Sequence, residues 1–229
     1  MTSLQKVLQD QNDVKVIVAN IDHKNYVAFD LSAVRTDQLS LDLTNAAEFE
    51  NFVEDHLAKN NAEVAFGGYL EKRDLYRRSE NFKNNIEDER NIHIGLDLWI
   101  KAGTSVLSAL DGKIHSFQNN TAHGDYGPTI ILEHKIDEQT FYTLYGHLSL
   151  ESLEGKTVGQ LVKKGEKIAE LGKPPVNGDY APHLHFQIIK DMENKIGDYP
   201  GVCSAHDVEH YKANCPDPEL LLKINSEKI

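Results

Sequence analysis

Hydrophobic and polar positions follow two different rhythms along this chain, and the rhythm changes near residue 62. Before it, Leu4-Gln5-Lys6-Val7-Leu8 predicts a short helix. The runs Val14-Lys15-Val16-Ile17-Val18-Ala19 and Tyr26-Val27-Ala28-Phe29 predict strands on either side of a turn at residues 22–25. Ala47, Phe49, Phe52, Val53 and Leu57 lie on one helical stripe, which predicts a helix from an N-cap at Thr44 to about Lys59, closed by Asn60-Asn61. Residues 1–61 are thus expected to form a small α/β region, and they carry no recognisable chemistry.

From residue 63 onward, short β-rich segments alternate with Gly, Asn, Asp and Pro. Strands are expected over 63–66, 92–100, 105–109, 112–117, 129–134, 139–146, 167–170 and 183–189. Strands so spaced, with turn signals between them, predict an antiparallel sheet or sandwich rather than a βαβ fold. The stretch 158–168 resembles the Gly-punctuated hairpins of small β-barrels, and helices are expected over 204–212 and 218–222. The expected fold is therefore α+β and mainly β. A β domain over 62–229 ends in a helical tail and follows the small α/β region.

Composition narrows the function. In 229 residues, 40% hydrophobic and 26% charged is ordinary for a globular chain and excludes a mostly disordered one. No apolar run approaches the roughly 20 residues that cross a bilayer. A formal charge of −12 argues against binding nucleic acid or an anionic membrane, both of which need Lys and Arg facing phosphate. The first residues have no apolar core of the length a secretory signal requires, so a cytoplasmic location is expected. A periplasmic or extracellular one is expected instead if the native start lies upstream. Cys203 and Cys215, without a disulfide-rich pattern around them, are expected to be free.

Eleven histidines stand against one Trp and two Met. In His93-Ile94-Gly95-Leu96-Asp97-Leu98-Trp99-Ile100, period-two alternation puts His93, Gly95, Asp97 and Trp99 on one face and the aliphatic residues on the other. A straight strand would separate the Cα atoms of His93 and Asp97 by about 13 Å. Gly95, midway, is where a bend would bring them together. His183 and His185 in Pro182-His183-Leu184-His185 share a strand face about 6–7 Å apart at Cα. His147 follows the strand expected over 139–146. Three histidine-bearing β elements and an aspartate suit a His/carboxylate site with an open position, and borderline Zn²⁺ suits that ligand set.

These residues carry a resemblance. His93-x-x-x-Asp97 and His183-x-His185, with Tyr145-Gly146-His147-Leu148 between them, resemble the lysostaphin-type zinc metalloendopeptidases, which cut peptidoglycan cross-bridges or stems. Ala102-Gly103-Thr104-Ser105-Val106, Asp111-Gly112-Lys113-Ile114, Tyr126-Gly127-Pro128-Thr129-Ile130 and the Gly-rich stretch from Val158 to Gly172 support it, and the similarity covers roughly residues 91–190. The resemblance implies that His93, Asp97 and His185 hold one Zn²⁺ per chain. It also implies that His147 and His183 assist a water activated by the metal in hydrolysing a peptide bond. No Glu base of the His-Glu-x-x-His kind is present, and the family needs none. Gly124-Asp125-Tyr126-Gly127-Pro128, Phe141-Tyr142-Thr143-Leu144-Tyr145, Gly197-Asp198-Tyr199-Pro200-Gly201-Val202, Cys215-Pro216-Asp217-Pro218 and the region from Phe66 to Ser79 resemble, more narrowly, a peptidase-like module. Some large bacterial proteins carry it between kinase-like and aminotransferase-like modules.

The loop 172–180 leads directly into His183 and is expected to wall the cleft. Tyr145, Tyr180 and His123 are candidates for contacting substrate. His134 is expected to be structural, and His206 and His210, at i and i+4 without a third ligand, to be solvated. The expected partner is a peptide, with cell-wall peptide as the class the resemblance implies. Two alternatives stand beside it: a zinc-binding module that scaffolds or regulates another enzyme without hydrolysis, and a cytoplasmic hydrolase of a small peptide or metabolite.

Overall fold

The computed structural model describes residues 3–18, 20–32, 42–73, 89–122 and 124–224. Its strands in chain order are β1 (Tyr26–Ala28), β2 (Val64–Gly67), β3 (Ile92–His93), β4 (Leu96–Trp99), β5 (Ser105–Leu107) and β6 (Gly112–Asn120). After them come β7 (Gly127–Ile136), β8 (Gln139–Gly146), β9 (Leu161–Val162), β10 (Lys167–Glu170), β11 (His183–Ile189) and β12 (Val202–Cys203). Among the described residues four α-helices accompany them: α1 (Ser3–Gln9), α2 (Ala46–Asn60), α3 (Val208–Asn214) and α4 (Glu219–Leu222).

Eight strands form one sheet in the order β1-β2-β4-β11-β8-β7-β6-β9, while β5 pairs with β10 and β3 with β12 in two smaller ladders. All pairings are antiparallel except β1 with β2. The fold is mainly β, as the turn-punctuated pattern predicts. Residues 1–61 contribute β1 and α1 to it, through the parallel pairing with β2 and the packing of Leu4 and Leu8 into the principal core.

Alternation along the strands sorts the side chains between two faces. Leu96, Leu98, Leu184, Phe186 and Ile188 point into the principal core, together with Ile130, Leu132 and Tyr145 from β7 and β8. The opposite face carries two smaller apolar clusters. One gathers Ile131, Leu144, Ile189 and Tyr199 beneath the C-terminal segment. The other gathers Phe29, Leu31, Phe49, Val53 and Trp99, so that α2 packs on the sheet beside β4. Between these two clusters lies the polar patch described below.

Several expectations are corrected in detail. Ile92 to Ile100 is not one strand. The ladder changes partner at Gly95, with β3 bonding to β12 and β4 to β11. The run Val14–Ala19 forms no strand among its described residues and contributes a single bridge, Ile17 to Val106, because its apolar side chains dock on the core one by one. The stretch 158–168 is no self-paired hairpin, since β9 joins β6 and β10 joins β5. The first C-terminal helix starts at Val208, after a turn in which Ser204 and Asp207 bond to each other. The other starts at Glu219.

The cap of α2 is Asn45 and not Thr44: the Asn45 side chain accepts from the Ala47 and Glu48 amides, while the Thr44 hydroxyl donates to Asp42. At the far end, Asn61 turns left-handed and closes the helix as predicted. Replacing Asn45 by Ala removes the acceptor for two otherwise unpaired amides and is expected to lower the unfolding free energy by about 1 kcal/mol. Thr44→Ala should stay within about 0.5 kcal/mol of the parent. Urea denaturation of both variants checks the assignment; the reverse order would restore Thr44 as the cap.

Candidate metal centre

Strand register assembles the site. β11 lies between β4 and β8, with His185 opposite Asp97 on one side and Gly146 on the other, and with His183 opposite Trp99. His93 would stand too far along a straight strand to join them. The break at Gly95 turns β3 out of the sheet and swings the His93 ring over His185. A Cβ at Gly95 would overlap the His185 imidazole and approach the Phe186 carbonyl, so only glycine permits this approach.

Three donor atoms converge: His93 Nε2 is 2.9 Å from His185 Nδ1 and 3.3 Å from Asp97 Oδ1, and His185 Nδ1 is 3.1 Å from the same Asp97 oxygen. All three residues are 2% exposed. The protons sit on the far sides of the rings. His93 Nδ1 lies 2.9 Å from the Gly68 carbonyl, which can only accept, so that nitrogen carries the hydrogen and Nε2 is bare. Gln187 donates its amide to the Pro200 carbonyl and to Cys215 Sγ, which leaves its oxygen to accept from His185 Nε2 at 3.0 Å. The Tyr126 hydroxyl stands 3.4 Å from that nitrogen. His185 Nδ1 is thereby left facing Asp97 Oδ1 and His93 Nε2. Two imidazole lone pairs and a carboxylate oxygen facing one another are mutually repulsive without a cation, and this N₂O set fits a borderline divalent ion such as zinc.

His147 and His183 flank this cluster. His147 leaves β8 with a left-handed backbone at φ 62°, a conformation uncommon outside glycine. That turn carries its ring to 4.2 Å, centre to centre, from His183. Its Nδ1 donates to the Asn177 carbonyl at 2.8 Å, and His183 Nδ1 donates to the Ala181 carbonyl at 2.7 Å. Each thereby presents an unprotonated Nε2. That of His183 lies 3.9 Å from Asp97 Oδ1. Trp99 stacks on the His183 ring at 5.7 Å and 24°, backed by Phe29 at its other side.

Burial governs the protonation of these groups. It pushes His93 down to about 4, against the pull of Asp97. It likewise lowers His183, and it lowers His147 further with the help of the neighbouring His183 and His185. Burial alone would raise the Asp97 carboxyl, but its histidine neighbours and the Arg73 guanidinium outweigh it and hold the group well below its ordinary value. The site opens on a cavity of about 320 Å³ whose wall includes Tyr126, Tyr180, Tyr199, Leu31 and Phe49.

The structure brings together all five residues singled out for metal and catalysis, and it places Tyr180 on the cavity wall with its hydroxyl bonded to the Gly124 carbonyl. Tyr145 is a correction. It points to the other face of β8 into the principal core, where its hydroxyl meets the Ala109 amide and Thr143, because it pairs with Phe186 on the core side while Gly146 pairs with His185 on the cleft side. Alternation would send His147 to the core side as well, and its left-handed turn brings it to the cleft instead. His123 lies outside the described residues. His134 bonds Asp111 and Thr143 and is structural, and His206 and His210 are exposed beside Asp207 and Glu193. Cys203 and Cys215 are free and buried, with burial pushing their thiols up to about 11 and about 12.

Sequence reasoning missed four contributors. Gln187 carries a legible signal, since it continues the face of His183 and His185 at the next alternate position. Tyr126 lies in the Tyr126-Gly127-Pro128 motif, which assigns it no role. Arg73 and Glu71 carry none, being 24 or more residues from the ligand they serve; Arg73 Nη1 donates to Asp97 Oδ2 at 2.6 Å and its Nε to Glu71 at 2.5 Å.

Residues 91–196 match the family described as peptidase family M23. The chain is 34% identical over 95 residues to an uncharacterized metalloprotease of Haemophilus influenzae, covering 42% of this chain and 18% of that protein. It is also 34% identical over 97 residues to the peptidoglycan DD-endopeptidase ShyB of Vibrio cholerae, covering 42% and 20%. It thus spans about a fifth of the length of these curated relatives. Among solved structures, the catalytic domain of lysostaphin from Staphylococcus simulans is 24% identical with a TM-score of 0.39, over 67% of this chain and 94% of that one. A zinc-containing peptidase from Vibrio cholerae is 31% identical with a TM-score of 0.34, over 46% and 29%.

The buried neutral histidines set the pH response of the metal-free chain. Above about pH 6.5 a free histidine and a buried one are both neutral, and the lowered values cost nothing. Below it the unfolded chain takes up protons that folded His93, His147 and His183 refuse, so stability falls with pH until the folded rings protonate, for His93 at about 4. Each such ring is expected to add a slope of up to about 1.4 kcal/mol per pH unit. Urea titrations of the chelator-stripped protein across this window check it, and a flat profile would contradict the assigned protonation states.

Proposed function

We propose that this chain, whose residues 91–196 match the family described as peptidase family M23, is a zinc-dependent metalloendopeptidase that hydrolyses a peptide bond in peptidoglycan stem or cross-bridge peptides. One observation carries the metal part: His93 Nε2, His185 Nδ1 and Asp97 Oδ1 meet within 3.3 Å, while His93 Nδ1 and His185 Nε2 are bonded to acceptors on the far sides of the rings. The relative from Vibrio cholerae, a peptidoglycan DD-endopeptidase by name, supports the substrate class.

Zinc held there would supply a Lewis acid that polarises the scissile carbonyl and acidifies the attacking water. The remaining work falls to the chain's own groups. His147 and His183 are neutral at pH 7, and each holds an unprotonated Nε2 toward the cavity. One takes the proton of the attacking water; a ring so charged is then placed to return a proton to the leaving amine. Burial disfavours that charge, which makes the protonated ring a strong acid toward the amine. The Asn177 and Ala181 carbonyls fix both tautomers, so neither ring must reorient before reaction. The Trp99 stack holds the His183 plane. Tyr126 and Tyr180 line the cavity and are positioned to hold a peptide against the two histidines.

The test is mass spectrometry of soluble products from cross-linked muropeptides, using the zinc-loaded chain beside its His147→Ala and His183→Ala variants. The parent is expected to release defined stem or bridge peptides, and each variant to be slower by about 10²–10⁴-fold. An absence of products with one zinc per chain confirmed would overturn the cell-wall substrate. Equal rates in parent and variants would overturn the roles of the two histidines.

A further inference from the structure

Residues 68–73, N-terminal to the family-matching stretch, back the candidate metal centre. Gly68 to Arg73 runs alongside β3: the Leu70 amide donates to the His93 carbonyl, the His93 amide to the Glu71 carbonyl, and the Arg73 amide to the Asn91 carbonyl. From this segment the Gly68 carbonyl takes the His93 Nδ1 proton, and the Arg73 guanidinium takes Asp97 Oδ2. Gly68 adopts φ +105°, and a Cβ there would overlap the Arg73 guanidinium and crowd His93 Nδ1, so the space a side chain would fill is occupied by these two groups. Glu71 completes the arrangement: one oxygen accepts from Arg73 Nε and the other from the Leu31 amide at 2.9 Å.

We propose that Arg73, balanced by Glu71, is a positioning residue that holds Asp97 as a one-oxygen metal ligand, with Oδ1 given to the ion and Oδ2 kept by the guanidinium. The inference rests on the metal-centre reading above. The two Asp97 oxygens are already divided, since Oδ1 faces His93 and His185 at 3.3 and 3.1 Å while Oδ2 faces Arg73 at 2.6 Å. Arg73 therefore does not compete for the metal-facing oxygen. A planar guanidinium shared between two carboxylates fixes the carboxylate plane as well as its position, which a lone ammonium does not. With Arg73 2% exposed, removing it strands Oδ2 in a buried site, where a second bond to the ion becomes its best remaining partner. Glu71 offsets the charge that Arg73 would otherwise set against a nearby dication.

The experiment uses the full chain and its Arg73→Gln, Arg73→Lys and Glu71→Gln variants, stripped of metal. Zinc affinity is read by competition with a chromophoric chelator, and coordination from the visible spectrum after cobalt substitution. The parent is expected to bind one zinc tightly and to give the intense bands of four-coordinate cobalt. Arg73→Gln and Glu71→Gln should bind zinc about 10- to 100-fold more weakly. Cobalt in Arg73→Gln should show the weaker bands of a higher coordination number as Oδ2 joins it, and Arg73→Lys should fall between. Thermal melting identifies a variant that fails to fold; Arg73→Lys and Glu71→Gln then carry the comparison. Unchanged affinity and spectrum across the folded variants would overturn the proposal. Tighter zinc binding by Arg73→Gln would overturn it too, making Arg73 an opposing charge. A parent that binds no zinc would instead sink the metal-centre reading itself.

Discussion

Electrostatic frustration at three atoms organises this molecule. His93 Nε2, His185 Nδ1 and Asp97 Oδ1 stand 2.9 to 3.3 Å apart, while the far nitrogen of each ring is bonded to an acceptor elsewhere. Holding them so close requires each residue to be fixed from behind by a bond stronger than the repulsion in front. The Gly68 carbonyl, the Gln187 amide and the Arg73 guanidinium provide those bonds, and each comes from a different part of the chain. The sheet supplies the rest. Antiparallel register between β4 and β11 sets His185 opposite Asp97, and a change of ladder partner at Gly95 turns His93 inward.

How much of this was legible in the sequence follows from the range of the interactions involved. Alternation is local, so β2, β8, β10 and β11 emerge from it nearly residue for residue. So does the sharing of a face by His183 and His185. Gly95 was legible as a bend because geometry demanded one there. What alternation cannot foresee is a backbone turn that changes parity, and the left-handed conformation at His147 does so, taking its ring to the cleft while Tyr145, two residues earlier, stays in the core. Val14 to Val18 failed for a different reason. Its β-branched residues fit a strand, yet the structure uses them as separate pegs in a core that α1 and α4 also fill. Arg73 and Glu71 were illegible because a buried ion pair between distant segments leaves no periodic trace.

The two histidines beside the metal cluster show how one packing decision serves two ends. Burial keeps His147 and His183 uncharged at neutral pH, which leaves them able to accept a proton, and the same burial makes them a liability when acid is present. Their Nδ1 bonds to backbone carbonyls are the cheapest available way to fix a tautomer, since a carbonyl offers no second orientation. Trp99 belongs to this logic. It joins the N-terminal aromatic cluster to the His183 ring, so the helix α2 that looks remote from the chemistry ends up bracing it.

The boundary drawn by sequence similarity and the boundary drawn by hydrogen bonds do not coincide. Excising residues 91–196 would keep every donor to the ion, yet it would strip β2 from the flank of β4 and leave that strand as a bare edge beside the site. The cut would also take away the Gly68 carbonyl at one end. At the other it would remove Pro200 and Cys215, the groups that aim Gln187 at His185. Evolutionary unit and folding unit are different objects here, and a minimal fragment designed from homology alone would carry the ligands without the scaffold that makes them ligands.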